Sequence, residues 1–202
     1  NFSVTPYNRQ DAQAVYDFAK EHGLPLQAAS SMFPPVRACE HGTFCADRLS
    51  PVPAAAETVR YDRSPFTAAE LNERWTGLLS GNKVPDPDHE CQELPTQKLR
   101  CRAGSSTFWV TWDHQLRPCG MMTEPTVSLD GTSFAEGWQQ IHRMREDIMV
   151  PAKCTACPVG NACDQCAAVC YAESGCYTEA PEFMCQITGA YLDIIRQQLD
   201  KM

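Results

Sequence analysis

Residues 154–170 read "CTACPVGNACDQCAAVC", which sets Cys154, Cys157, Cys163, Cys166 and Cys170 inside seventeen positions. Sulfurs so close in sequence have three chemical uses: disulfides, a zinc knuckle, or ligands for iron–sulfur clusters. A C-x2-C pair brings both sulfurs to one side of a tight turn. One metal reaches them there, and the amides of the turn can hydrogen-bond to them. A tetrahedral zinc takes four ligands, and Cys154, Cys157, Cys163 and Cys166 would satisfy it alone. That leaves Cys101, Cys119 and Cys185, each at a structured place, without a use. Two four-ligand sites use the supply better.

The whole chain limits these readings. Its 202 residues are 43% apolar and 21% charged, enough for one large or two small domains with cores of their own. A fold of that size does not need disulfides to hold it together. The net charge of −8 argues against a nucleic-acid-binding protein, which would be basic. No run of about 18 apolar residues occurs, so no transmembrane helix is expected. Twelve cysteines are an even count, which keeps disulfides open; in a cytosolic protein the same density points to metal or redox chemistry. The opening Asn1-Phe2-Ser3-Val4-Thr5-Pro6 has the pattern of a strand interior. The expectation is a C-terminal fragment whose first part lies upstream.

Residues 2–6 read as a strand, Asn8 as the N-cap of a helix with an apolar face of Val15, Phe18 and Ala19, and Gly23 as its stop. Leu24 to Phe33 reads as a second strand. This β–α–β unit predicts a parallel pair. Residues 36–65 read as linker and loop. Thr67 to Glu70 is a capping box that opens a helix with Leu71, Trp75, Leu78 and Leu79 on one face, ended by Gly81. Residues 82–99 are polar and proline-rich. Phe108, Val110 and Trp112 alternate with Thr107, Trp109 and Thr111 as in a strand. Asp113-His114 turns the chain, and Gln115 to Cys119 returns. Phe134, Trp138, Ile141 and Ile148 mark a helix over 133–149. Phe183, Ile187, Tyr191, Ile194 and Leu199 mark a last helix, with Cys185 in its first turns. Asp113 and His114 read as turn residues, His41 as a loop histidine, and Trp109, Trp112 and Trp138 as core.

Cys101-x12-His114-x4-Cys119, then Cys154-x2-Cys157-x5-Cys163-x2-Cys166, then Cys185 resembles the SPASM auxiliary cluster domain of radical SAM enzymes. That family's pattern is C-x(9–15)-G-x4-C, a gap, C-x2-C-x5-C-x3-C, a gap, and a last C. All seven cysteines have a counterpart, in order. The chain departs from it twice: His114 stands at the family's glycine, and the Cys163–Cys166 gap is one residue short. Either Cys166 or Cys170 can then be the fourth ligand, and Cys166 is preferred because it misses the spacing by less. The stretch "FSVTPYNRQDAQAVYDFAKEHGLPLQAASSMFPP" is similar to the last β–α–β of the partial barrel in these enzymes. The C-x3-C-x2-C loop that holds their SAM-binding cluster does not occur here.

The resemblance implies an α+β chain: the tail of a partial (β/α) barrel over 1–37, a linker with one helix over 38–90, and a small cysteine-rich cluster-binding domain over 91–202. It implies two auxiliary [4Fe–4S] clusters. One takes Cys101, Cys119 and Cys166, with Cys91 as the candidate fourth ligand; the other takes Cys154, Cys157, Cys163 and Cys185. Cys39, Cys45, Cys170 and Cys176 receive no role and read as free or buried thiols. S-adenosyl-L-methionine and a third [4Fe–4S] cluster belong to the upstream part, where a 5′-deoxyadenosyl radical abstracts hydrogen. The expected partners are a peptide or protein substrate and an electron donor such as flavodoxin or ferredoxin, with no nucleic acid and no membrane, in the cytoplasm. Anaerobic sulfatase maturases resemble the cysteine layout too, but place an Asp directly after the cysteine matching Cys119, where this chain has Gly120. Other readings are a SPASM enzyme acting on small molecules and a non-catalytic iron–sulfur or zinc module.

Overall fold

The computed structural model describes residues 1–34, 47–81, 98–99, 101–163 and 166–201. Helices and two small sheets make a mixed α+β architecture. Strand β1 (Phe2–Ser3), helix α1 (Ala12–Glu21) and strand β2 (Ala28–Ala29) form the β–α–β unit. The strands run parallel, Phe2 opposite Ala28 and Ser3 opposite Ala29, and both are shorter than the sequence suggests. Asn8 does not cap α1. Its side-chain oxygen accepts from the Thr5 amide at 2.8 Å and its amide group donates to Ser3 O at 3.0 Å. These local bonds compete with capping, and a 3-10 turn at Arg9–Asp11 precedes the helix. The buried stripe is Ala12, Tyr16 and Ala19. Phe18, expected in it, is exposed and stacks on His22 with ring centroids 4.2 Å apart.

Residues 51–62, expected as linker, form helix α2 (Pro51–Asp62). The prolines there look like breakers. In a first helical turn, however, a missing N–H is no loss and a fixed φ suits the helix. Helix α3 (Ala68–Leu79) follows the sequence reading: the Thr67–Glu70 capping box closes in both directions, and Leu71, Trp75 and Leu78 are buried.

Strands β3 (Trp109–Val110) and β4 (Gln115–Arg117) form the expected hairpin, with Trp109 opposite Arg117 and Val110 opposite Leu116. His114 takes φ +55 in the turn, the left-handed conformation that glycine most readily adopts. A third strand, β5 (Val127–Ser128), pairs antiparallel with β4. Helix α4 (Phe134–Arg145) opens on a Ser133–Glu136 capping box. It lies so close to the sheet that a Cβ on Gly137 would meet Leu129 Cδ2 at 2.9 Å. Because Leu116 of β4 and Val127 of β5 fill the space under α4, Trp109 and Trp112 are not core: they are 51% and 84% exposed. Trp138 is partly buried against Leu116, Val127 and Ile141.

Three further helices follow: α5 (Ala152–Thr155), α6 (Ala167–Ser174) and α7 (Glu182–Leu199). The largest apolar cluster joins Tyr16, Val59, Trp75, Ile187, Tyr191 and Ile195, so α7 returns to close the core of the N-terminal half, packing along α2. A separate cluster gathers Leu99, Met122, Ile148, Val150 and Ala167. No helix among the described residues is long and apolar enough to cross a membrane.

Candidate metal centre

The hairpin and α6 bring the first sulfurs together. Cys119 lies two residues past the end of β4, and Cys166 stands at the N-cap of α6; both pack against the cluster of Leu99, Met122 and Ile148. Burial pushes the Cys166 thiol up, and the nearby charges of Cys101 and Cys119 push the same way. The amides of Ala168 and Val169 oppose them without closing a full hydrogen bond at the helix cap. The Met121 amide donates to Cys119 Sγ at 3.4 Å, the kind of bond that tunes a cluster's sulfur ligand. Tyr177 packs beside Cys119 and Cys166 and donates its hydroxyl to Glu124 O. Burial is the main force raising its pKa, and the charges of Tyr171, Glu124 and both cysteines add to it.

The second group sits on α5 and the turns after it. The Cys154 amide donates to Pro151 O at 3.0 Å, and the Gly160 amide to Cys157 O at 3.1 Å, so the segment folds in successive tight turns. Asn161 donates to Leu78 O at 2.8 Å, which ties it to α3. Burial raises the Cys154 thiol. The charges of Cys185, Cys163 and Cys157 add to that, and Lys153 opposes it. Cys185 reaches this group from the first turns of α7.

Cys101, Cys119, Cys154, Cys157, Cys166, Cys170, Cys176 and Cys185 are free thiols. Cys170, inside α6, is buried and its thiol is pushed up to about 12, by burial first and then by Cys154, Cys166 and Cys163. Cys176 is held lower, chiefly by hydrogen bonding to Ser174 and then Thr178. Cys91, Cys39, Cys45 and His41 lie outside the described residues. His114 is a turn residue whose Nδ1 lies 2.9 Å from Asp130 Oδ1.

Among the described residues no three His, Cys, Asp or Glu side chains close on one point as a single metal ion requires. One zinc would draw four sulfurs to about 2.3 Å of a common centre, whereas a four-iron cubane holds its ligands wider apart. The donor set is all thiol, soft chemistry that suits iron–sulfur clusters or zinc.

A cleft of about 770 Å³ opens beside α5 and the start of α7, the elements that carry Cys154 and Cys185. Arg48, Lys153, Glu173, Thr178 and Phe183 are among the residues lining it. Arg48 is fixed by Glu173 at 2.5 Å and lies 3.6 Å over the Phe183 ring. Neither Arg48 nor Tyr177 was marked by the sequence, because their neighbours are far away along the chain. Compared with protein-family models, with curated proteins and with solved structures, the chain matches none.

Proposed function

We propose that the chain is the cluster-bearing C-terminal part of a cytoplasmic radical SAM enzyme of the SPASM kind, acting on a peptide or protein. One observation carries this reading. Among the seven cysteines of the resemblance, the electrostatic pairs follow the two ligand sets that the resemblance implies, while Cys170, which has no role in it, feels Cys154, Cys166 and Cys163 of both sets. Cys166 feels Cys101 and Cys119, while Cys154 feels Cys185, Cys163 and Cys157. In the first group Cys91 is the candidate fourth ligand; an iron left open there would instead bind substrate.

Bound clusters supply one-electron transfer near the reacting substrate. The chain's own residues partly bury Cys119, Cys154, Cys157, Cys163 and Cys166, leave Cys101 and Cys185 exposed, and present the Met121 amide to Cys119. The cleft beside α5 and α7 gives a substrate segment room next to the second group. In such an enzyme S-adenosyl-L-methionine and a third cluster are held by a C-x3-C-x2-C loop, a spacing that does not occur among these residues.

Gly120 favours this reading over a sulfatase maturase. A Cβ on Gly120 would meet the Trp109 ring at 3.1 Å, so an Asp there would press the indole aside by a few tenths of an ångström. A non-catalytic zinc module is the reading from another class, and the same experiment separates the two. The chain is purified without oxygen, and iron, acid-labile sulfide and zinc are counted. About eight irons with matching sulfide support two cubane clusters. About one zinc and no sulfide would support a structural knuckle and remove the enzyme reading.

A further inference from the structure

Arg145 closes the C-terminal turn of α4, and its guanidinium is spent on the loop that carries Cys101. Nε donates to Ala103 O at 2.7 Å, and Nη2 donates to Leu99 O and to Cys101 O, each at 3.0 Å. Nη1 donates to Glu146 at 2.8 Å. The side chain is 14% exposed. One turn earlier on the same helix, His142 Nδ1 lies 3.1 Å from Gly104 O. Helix α4 therefore grips the carbonyls of residues 99, 101, 103 and 104 with two side chains.

The grip continues to the other sulfur. Gly104 takes φ +70, and a Cβ there would meet Arg145 Cδ at 3.2 Å and Pro118 Cβ at 3.3 Å. Its amide donates to Thr107 O at 2.9 Å and to Pro118 O at 3.2 Å. The loop is thus wedged between Arg145 and the residue that precedes Cys119. Cys101 itself is exposed and belongs to no helix or strand, so nothing in its own secondary structure fixes it. A planar fork of five donors can hold several carbonyls at fixed angles; an ammonium, a single point charge, cannot.

We propose that Arg145 is the positioning residue for Cys101. By clamping the carbonyls of Leu99, Cys101 and Ala103, it holds that sulfur in register with Cys119 and Cys166, and so sets the occupancy and the redox behaviour of the first centre. This rests on the two-cluster reading above. Arg145 touches no reacting group; it acts through the loop.

The test compares the chain with Arg145→Gln, Arg145→Lys and Ile141→Val. The last is a control that loosens α4 from its core without touching the loop. Two things are measured: amide hydrogen exchange of residues 101–107 before metal is added, and iron, sulfide and electron paramagnetic resonance redox titrations of each centre after anaerobic reconstitution. In R145Q the loop exchanges at least tenfold faster. About four irons are lost, or the first centre's signal and potential change, while the second centre is unaltered. R145K recovers part of both effects, and I141V shows neither. The proposal is overturned if R145Q keeps wild-type loop protection and an unchanged first centre. It is equally overturned if R145Q and I141V lose both centres in parallel, since Arg145 would then act only through folding. Wild-type chain that takes up no iron overturns the cluster reading itself and the positioning role with it. That result differs from failure of the clamp alone, where wild type and R145Q carry the same iron.

Discussion

Arg9 Nε donates to Glu57 Oε1 at 2.6 Å, joining the 3-10 turn before α1 to the middle of α2. The partners differ in exposure: the arginine side chain is 40% exposed and the glutamate 1%. Arg60 lies 3.2 Å from the other carboxylate oxygen and is 35% exposed. Either arginine can rehydrate if its partner is lost; the glutamate cannot. Replacing both arginines, Arg9→Ala with Arg60→Ala, leaves a buried carboxylate unpaired and should cost about 3–5 kcal/mol. Glu57→Met, of similar volume, should change stability little. Urea unfolding of the two variants checks this, and equal losses would show that the asymmetry in burial does not matter.

Tyr16 gives the same core a dependence on pH. Its hydroxyl is buried without a hydrogen-bond partner. Burial first, and the charge of Glu57 second, push its pKa from 10.0 to about 12. The folded state holds the proton more tightly than the unfolded chain. The corresponding stability is therefore complete below about pH 10 and is lost as pH rises toward about 12. Stability curves at rising pH should show this limb in wild type, a weaker one in Glu57→Met, and none from this site in Tyr16→Phe. A Tyr16→Phe curve that falls as steeply as wild type would place the alkaline limb on other groups.

What was legible in the sequence depended on how local its cause was. The Thr67 capping box, the turn at His114 and the long stripe of α7 are set by neighbours within one or two turns, and they appear where expected. Helix α2 is not legible locally, because its Pro- and Ala-containing stretch has little periodicity and a first-turn Pro51 looks the same in a loop. The exposed Trp109 and Trp112 were misplaced because strand alternation says which residues share a face but not which face is covered; Leu116 and Val127 decided that. Among the site residues, the cysteines announce themselves by type and spacing. Arg145 and Tyr177 do not, since their contacts join distant parts of the chain.

Cys166 and Cys170 differ in their surroundings. Cys166 stands at the start of α6, close to Cys101 and Cys119, whereas Cys170 is 1% exposed within the helix. A cysteine ligates as thiolate, and burial makes that form costly for Cys170. Cys166→Ala should lose one centre's iron, about four atoms, and Cys170→Ala should keep all of it. Iron and sulfide counts on the two variants decide it; the reverse pattern moves the ligand role to Cys170.

Cys176 should be far more reactive than Cys170 in the metal-free chain. Ser174 Oγ and Thr178 Oγ1 each lie 3.7 Å from its sulfur, and hydrogen bonding to them lowers the thiol's pKa. Burial instead pushes Cys170 up to about 12. Alkylation follows the thiolate fraction and access to the sulfur. At neutral pH, mass spectrometry of iodoacetamide-treated protein should find Cys176 modified while Cys170 is still intact. Ser174→Ala removes the larger of the two hydroxyl contributions, so it should slow Cys176 and move its pH–rate curve upward. Ser174 also donates to Cys170 O at 2.8 Å, so the variant needs its helix content compared with wild type by circular dichroism. Unchanged alkylation of Cys176 in a folded Ser174→Ala chain would show that exposure alone, and not the hydroxyl pair, governs this thiol.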